Sequence, residues 1–426
     1  MTAELAARYI GAWSGHLRRA GQETPIAIHL DAVGQRGGGT VSWPDLGHLD
    51  APILGTSLQP NDEVRISLPL PMGSLRLVGG SDGEVITGRL EEIGRIDGAF
   101  ASRGIDGTFE LRRTGPVQHP YAIQSLRFRS SDGTLLAGSA YLPLGSGPFP
   151  AVVYVHGSGD SARSDGAFLA DMLAKNGIAA FVYDKRGVGE SQGQWRDSSM
   201  EMLAQDAHSA LKTVAAHPAI DGAKIGYVGR SQGGWIVPMA LRKGGAAFAA
   251  FISGAAVSTI DEDLDHYRQL FSQSGRPAGD YEAAETLMRQ RYSAMRGHVS
   301  RARLARLAKR AEGQPWFKLL EWADLDKNET PFDRAWIAYE PAQDLEAISV
   351  PTYWLYGSAD YVIPVGASIA NVVTHVRKSP PTIEVLPGAD HALASGAYPA
   401  LPAGVGSATR RITDWISATL GLRDAR

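Results

Sequence analysis

The chain contains no cysteine. That absence excludes a disulfide framework, a thiolate metal site and a cysteine nucleophile. An excess of either charge is also lacking: 42 basic residues face 45 acidic ones, a formal net charge of −3. Nothing strongly basic is offered to nucleic acid or to an anionic membrane, so neither is expected as a partner. Long apolar runs are missing too. The longest, about Ala246–Val257, falls far short of the roughly 20 residues a membrane helix needs. Met1 to Arg18 has no basic-then-apolar leader. As written, a soluble cytoplasmic protein is expected; the alternative is a mature exported form whose leader has been removed. There is no internal repeat and no low-complexity tract. What remains is ordinary globular usage, 44% hydrophobic, 20% charged and 8% aromatic, which excludes a disordered or fibrous chain. At 426 residues the prior is about two to three domains.

Three unlike regions follow one another. In residues 1–115, Ile26, Ile28 and Leu30 alternate with smaller or polar neighbours, as do Val64, Ile66 and Leu68. Period-2 spacing predicts half-buried strands, and the many Gly and Asp breaks between them predict a small sandwich or barrel. Trp13, His16, His29 and Trp43 are expected as core and surface positions of this β-domain, with a binding face as the weaker reading. Thr114–Pro120, with two prolines and a glycine, reads as the boundary. From residue 116 onward, apolar runs such as Ala151–Val155, Ile178–Tyr183, Ile225–Val228 and Ala246–Ile252 alternate with helical patterns. That alternation predicts a mostly parallel sheet with helices on both faces. It is interrupted over 258–347 by a charged, aromatic, helical stretch, most simply a cap inserted between two core strands. It resumes at Pro351–Tyr356 and Thr382–Leu386.

Chemistry gathers at the strand ends. Gly229-Arg230-Ser231-Gln232-Gly233 follows a strand and opens a helix. A serine hydroxyl attacks only when exposed at a sharp turn beside a base, and glycines two residues either side permit that corner because a Cβ there would collide. Ser231 is the expected nucleophile. The oxyanion of the reaction needs backbone donors. One is the Gln232 N–H at a helix start; the second is expected from His156-Gly157-Ser158-Gly159, with Ser158 preferred to Gly159. Among eleven histidines, His391 alone follows a late core strand and a Pro-Gly turn, which places it at the sheet edge with Ser231. His156 is the rival, but it precedes the nucleophile and fits the oxyanion loop. Asp360, after the strand Pro351–Tyr356, is the expected orienting acid; the adjacent Asp390 more simply caps its own turn. The chain order Ser231, Asp360, His391 suits this mounting. The loop Asp184–Ser191 lacks the Gly-Lys-Ser/Thr ending of a nucleotide loop and reads as a structural turn beside the oxyanion loop. In the 258–347 insertion, Trp316, Phe317, Trp322, Phe332, Trp336 and Tyr339 are expected mostly as cap core or cap–sheet contacts, with some, foremost Trp316, Phe317, Trp322 and Trp336, lining an apolar substrate pocket. Arg301, Arg303, Arg306, Lys309 and Arg310 read as a solvated helix face, and more weakly as an attraction for acidic substrates.

Together these landmarks carry a resemblance. Residues 120–426 resemble the α/β-hydrolase superfamily, nearest its esterase and prolyl-oligopeptidase-like branches, through His156–Gly159, Asp184–Ser191, Gly229–Trp235, Gly357–Pro364 and Asp390-His391. Residues 1–115 are similar, more loosely, to the β-domain that precedes some bacterial esterases, with Gly11-Ala12-Trp13-Ser14-Gly15 as its opening. The resemblance implies a serine carboxylic-ester hydrolase acting on a small-molecule ester through an acyl-enzyme, with no metal or organic cofactor. Peptidase and thioesterase chemistry are its alternatives. One departure is the sequence after Gly159, Asp160-Ser161-Ala162-Arg163, where many such proteins carry Asp-Arg-Asp.

Overall fold

The computed structural model describes residues 6–19, 21–33, 38–43, 48–70, 73–96, 99–115, 119–320, 330–393 and 405–422. Its front part is one antiparallel sheet. The strands are β1 (Gly11–Arg19), β2 (Gln22–Leu30), β3 (Gly39–Trp43), β4 (His48–Pro52), β5 (Gly55–Leu58), β6 (Val64–Leu70), β7 (Gly73–Ser81), β8 (Val85–Ile96) and β9 (Ala99–Thr114). They lie in the order β4-β3-β2-β1-β9-β8-β7-β6-β5. The alternating residues Ile26, Ile28, Leu30, Val64, Ile66 and Leu68 all point into one shared core, so the sheet curls into a barrel-like shape. Gly79 and Gly88 are cross-strand partners, and a Cβ on either would come within 2.9 Å or 2.8 Å of the Phe109 ring. The paired absence of side chains makes room for that aromatic. Trp13 and Trp43 are fully buried in the core, which leaves them no part in a binding face.

The second sheet comprises β10 (Tyr121–Arg129), β11 (Leu135–Pro143), β12 (Phe149–Val155), β13 (Ala179–Tyr183), β14 (Ile220–Arg230), β15 (Ala249–Ile252), β16 (Thr352–Gly357) and β17 (Thr382–Leu386). Its order is β10-β11-β13-β12-β14-β15-β16-β17. The first two strands pair antiparallel and β11 joins β13 antiparallel; every pairing from β13 to β17 is parallel. The helices are α1 (Ala167–Lys175), α2 (Met200–Ala215), α3 (Gly233–Leu241), α4 (Thr259–Gln273), α5 (Ala278–Met295), α6 (Arg301–Ala311), α7 (Pro331–Ile337), α8 (Ala342–Ala347), α9 (Val365–His375) and α10 (Val405–Thr419). Along β12, Ala151, Val153 and Val155 pack with α2 and α3 on one face, whereas Val152 and Tyr154 pack with α1 and α10 on the other. Burial of both faces explains why these strands read as continuous apolar runs.

Between β15 and β16 the chain makes helices α4 to α8; α8 packs in the core under the sheet through Leu345, and α4 to α7 stand apart. They hold a separate apolar cluster that includes Leu264, Phe271, Leu287, Met288, Leu304 and Trp316. Ser258 caps α4, its hydroxyl accepting from the Asp261 N–H at 3.1 Å, and Thr330 and Asp333 form a reciprocal capping box on α7. On α6, Leu304, Ala308 and Ala311 are buried while Arg303, Arg306 and Arg310 are exposed, an amphipathic face turned to solvent. The front sheet meets the second part through β4, whose Leu49 packs in the cluster of Tyr121, Phe168 and Leu169. Among the described residues no helix is long and apolar enough to cross a membrane.

Candidate active site

The carboxyl ends of β14, β16 and β17 converge on one rim. Ser231 follows β14 with a φ of 52°, in the left-handed region a non-glycine residue rarely occupies. The neighbouring glycines permit this. A Cβ on Gly229 would stand 2.8 Å from the Gly233 carbonyl oxygen, and one on Gly233 would stand 3.0 Å from that of Val155. Helix α3 is drawn closer still to the loop after β15: a Cβ on Gly234 would lie 2.4 Å from both the nitrogen and the oxygen of Ala255. The corner is braced by Ser231 N–H donating to the Ile252 carbonyl at 3.0 Å.

Ser231 Oγ lies 3.1 Å from His391 Nε2. On the far side of the ring, Nδ1 is 2.9 Å and 3.0 Å from the two carboxylate oxygens of Asp360. The Asp360 side chain is wholly buried. One of its oxygens also accepts from the Val362 and Ile363 N–H groups, each at 2.9 Å. The loops carrying Asp360 and His391 are joined by backbone. Ala359 N–H donates to the Ala389 carbonyl at 2.8 Å and Ser358 N–H to that of Leu386 at 3.0 Å. Gly357 allows this approach, since a Cβ there would stand 2.2 Å from the Ala389 oxygen. Asp390 accepts from the Ala392 N–H at 2.9 Å, a turn-capping bond.

Ser158 lies exposed on the loop after β12, and Gly159 has a φ of 82°. Gln232 is buried at the start of α3. Among the described residues, neither the Ser158 nor the Gln232 N–H has a hydrogen-bond partner. Gly157 sits against Ser231, a Cβ there being 3.4 Å from the Ser231 Cβ. His156, the rival histidine, is buried and its Nε2 stands 2.5 Å from the Tyr183 carbonyl oxygen. Burial, helped by the Lys185 charge, pushes its pKa down to about 3, so it is a neutral structural group.

Two features escape a reading by motif. The Asp184–Ser191 loop is more than a turn beside the oxyanion loop. Asp184 accepts from the Arg163 side chain at 2.6 Å and 3.0 Å and from its N–H at 2.8 Å. Arg186 pairs with buried Asp206 through two bonds of 2.6 Å and 2.7 Å. Between them, Lys185 Nζ reaches the oxyanion loop. The signal was present in the sequence, a lysine directly after a core strand on the same rim, but no spacing rule assigns it. The second is Glu262 on α4. Its carboxyl is pushed up to about 8, by burial first and then by the charges of Asp263, Asp360 and Asp265. One turn further on, His266 Nδ1 is 3.0 Å from the Tyr361 carbonyl oxygen, so this face of α4 abuts the loop of Asp360.

The aromatic residues of the insertion divide. Trp316 and Phe317 belong to the helices' own cluster with Leu264 and Leu287, and nothing groups them with Ser231. Trp336 packs between that cluster and the core under the sheet. Trp322 lies outside the described residues. Nearer the rim, Phe332 meets Trp195 edge-on at 5.0 Å, and Tyr339 meets Trp235 at 6.2 Å.

Residues 132–390 match the family described as X-Pro dipeptidyl-peptidase (S15 family). Among curated proteins, the chain is similar to Thiohydrolase aneE of Aspergillus aculeatus, 33% identical over 110 residues, 26% of this chain and 34% of that protein. It is also similar to Esterase EstD of Thermotoga maritima, 27% identical over 191 residues, 42% of this chain and 44% of that protein. The chain thus spans less than half the length of these relatives. A solved structure, the alpha/beta hydrolase GrgF from Penicillium sp., is 18% identical with a TM-score of 0.48, covering 71% of this chain and all of the other.

Proposed function

The chain belongs to the X-Pro dipeptidyl-peptidase (S15) family, of the α/β-hydrolase class, and we propose that it is a serine hydrolase cleaving carboxylic esters through Ser231, His391 and Asp360. The observation that carries this is the unbroken relay of 3.1 Å and 2.9 Å from hydroxyl to imidazole to carboxylate. In the ground state Ser231 Oγ–H donates to a neutral His391 Nε2, while Nδ1–H donates to Asp360. As the hydroxyl attacks the ester carbonyl, His391 takes its proton and becomes an imidazolium stabilised by the carboxylate. The free N–H groups of Ser158 and Gln232 are suited to hold the oxyanion, with Gly159 N–H as the alternative to Ser158. His391 then protonates the departing alcohol. Water repeats the sequence on the acyl-enzyme and frees the acid.

In this reading residues 1–115 form a separate β-domain, 116–426 the catalytic domain, and 258–347 a cap that sets the substrate. The ester preference follows the relative named as an esterase. The family's own description favours a second reading, hydrolysis of peptides after X-Pro, and the thiohydrolase relative a third, thioester cleavage. All three share the acyl chemistry. The test compares nitrophenyl esters of graded acyl length, X-Pro anilides and acyl thioesters, each beside Ser231→Ala. Ester turnover abolished in that variant is expected. Retained turnover refutes the nucleophile, and anilides outpacing esters reverse the ranking.

A further inference from the structure

We infer that Lys185 is a positioning residue for the oxyanion hole, its ammonium holding both halves of the donor pair in register. Lys185 directly follows Tyr183-Asp184 at the end of β13 and is almost fully buried. Its Nζ donates to the Gly157 carbonyl at 2.6 Å, to the Gly159 carbonyl at 3.0 Å and to Gln232 Oε1 at 3.2 Å. These three acceptors use all the protons an ammonium has. The first two lie on the loop after β12 and the third on the residue after the nucleophile. One side chain therefore bridges the two segments that supply the donors.

The geometry of the peptide unit gives the first contact its meaning. In a planar trans peptide the C=O and the following N–H point in opposite directions. Gly157 C=O and Ser158 N–H share one such unit. Holding the oxygen on the Lys185 side turns the Ser158 N–H away from Lys185, towards the cleft. The second contact fixes the far end of the same loop at Gly159, whose left-handed φ of 82° makes that stretch the one most free to reorient. The same loop is also held at Ser161, whose carbonyl accepts from the Lys185 N–H at 3.1 Å and whose Oγ donates to the Ser158 carbonyl at 3.3 Å, and at Asp160, which accepts from Trp195 Nε1 at 2.7 Å, but these bonds leave the Gly157 and Gly159 carbonyls to Lys185.

The partners chosen by this cation set it apart from a structural ion pair. Among the described residues no carboxylate lies within ion-pair distance of Nζ. The Trp195 ring also lies 5.3 Å from Nζ. Burial lowers the pKa to about 8, opposed by the charges of Asp165 and Asp160, so the group is mainly an ammonium at neutral pH. Buried charge held by neutral oxygens is costly unless those oxygens are well placed. Here one of them, the Gly157 oxygen, shares its peptide unit with the Ser158 N–H, and the other two tie the far end of the loop and the Gln232 side chain to the same ammonium.

The proposal rests on Ser231 being the nucleophile, and the experiment separates the two. Fluorophosphonate labelling of the wild-type chain at Ser231 is checked first; no labelling sinks the hydrolase reading itself. Lys185→Met is then compared with wild type for kcat, KM and the inhibition constant of a trifluoromethyl ketone, which becomes an oxyanion on binding. A fall in kcat of about 10²–10³-fold is expected, as for loss of one oxyanion donor. KM should stay within about twofold, and ketone affinity should fall in step with kcat/KM. Lys185→Gln, which keeps a neutral donor, should recover part of the loss and stands in if the methionine variant does not fold. Labelled wild type together with kcat within threefold in the variant overturns the inference. So does lost activity with ketone affinity unchanged, because that outcome means the oxyanion donors never moved.

Discussion

Replacing Asp360 by asparagine separates two tasks that one carboxylate performs. The first is to accept Nδ1–H from His391 at 2.9 Å, and the second is to accept the Val362 and Ile363 N–H groups at 2.9 Å each. In Asp360→Asn the amide oxygen can still take the two loop N–H groups. The amide NH2 then faces the imidazole, a donor where an acceptor stood. His391 answers by carrying its proton on Nε2, and that nitrogen no longer accepts from Ser231. The same exchange in serine peptidases lowers kcat about 10⁴-fold, which corresponds to about 5.4 kcal/mol of barrier. Stability should change far less. Bonds to a charged acceptor contribute roughly 1 kcal/mol more than neutral ones, so two of them cost about 2 kcal/mol. For a unit of about 300 residues that is a Tm shift of roughly 3 °C. Asp360→Ala, which loses both loop bonds outright, should fall roughly twice as far in Tm at a similar kcat. The assay is kcat on a nitrophenyl ester beside a thermal melt for each variant. Asp360→Asn retaining activity within tenfold of wild type would falsify the role assigned to the carboxylate.

Two further outcomes are expected. Gly234→Ala places a Cβ 2.4 Å from the backbone nitrogen and oxygen of Ala255, and neither strand loop nor helix can yield cheaply. A loss of about 1–3 kcal/mol or more should appear as a lowered melting temperature together with reduced ester turnover, and an unchanged melt contradicts the packing described. Glu262, raised from 4.5 to about 8, keeps a proton in the folded state that the unfolded chain releases near its ordinary value. Its contribution to stability is therefore complete below about pH 4.5 and is lost as pH rises through about 8. Thermal melts of wild type and Glu262→Gln across pH 5–9 should diverge, wild type falling more steeply with pH. Parallel curves refute the assignment.

Much of the architecture was legible because the physics that builds it is local. Ile26, Ile28 and Leu30 alternate, and they point into one core. Val152 and Val153 face opposite layers, so their strand shows no alternation at all. The relay was legible for another reason: Ser231, Asp360 and His391 each follow a core strand, and a parallel sheet gathers its carboxyl ends on one edge. Other residues resist such reading. Whether Trp316 faces substrate or its own helices depends on which side α5 and α6 present, and helical spacing fits both. Trp13 and Trp43 are similar, since a tryptophan on a strand reads alike as core or as binding face. Lys185 shows the deeper limit. Its partners lie on segments distant in the chain, and two of them are backbone oxygens that carry no sequence signature. Glu262 is nearly as silent: its neighbours Asp263 and Asp265 stand in the sequence, but its burial and the charge of Asp360, far along the chain, do not show there.

The backbone bonds between residues 358–359 and 386–389 give the relay an unequal mechanical character. Asp360 and His391 are welded into one part, while the Ser231 hydroxyl sits between a different strand and helix. Of the two side-chain contacts, the one of 2.9 Å between His391 and Asp360 lies within that part, whereas the one of 3.1 Å between Ser231 and His391 reaches it from a strand two places away across the sheet. A change in either of those two loops therefore reaches the Asp360–His391 pair as a whole, while a change around Ser231 leaves the spacing of that pair to the backbone bonds that set it.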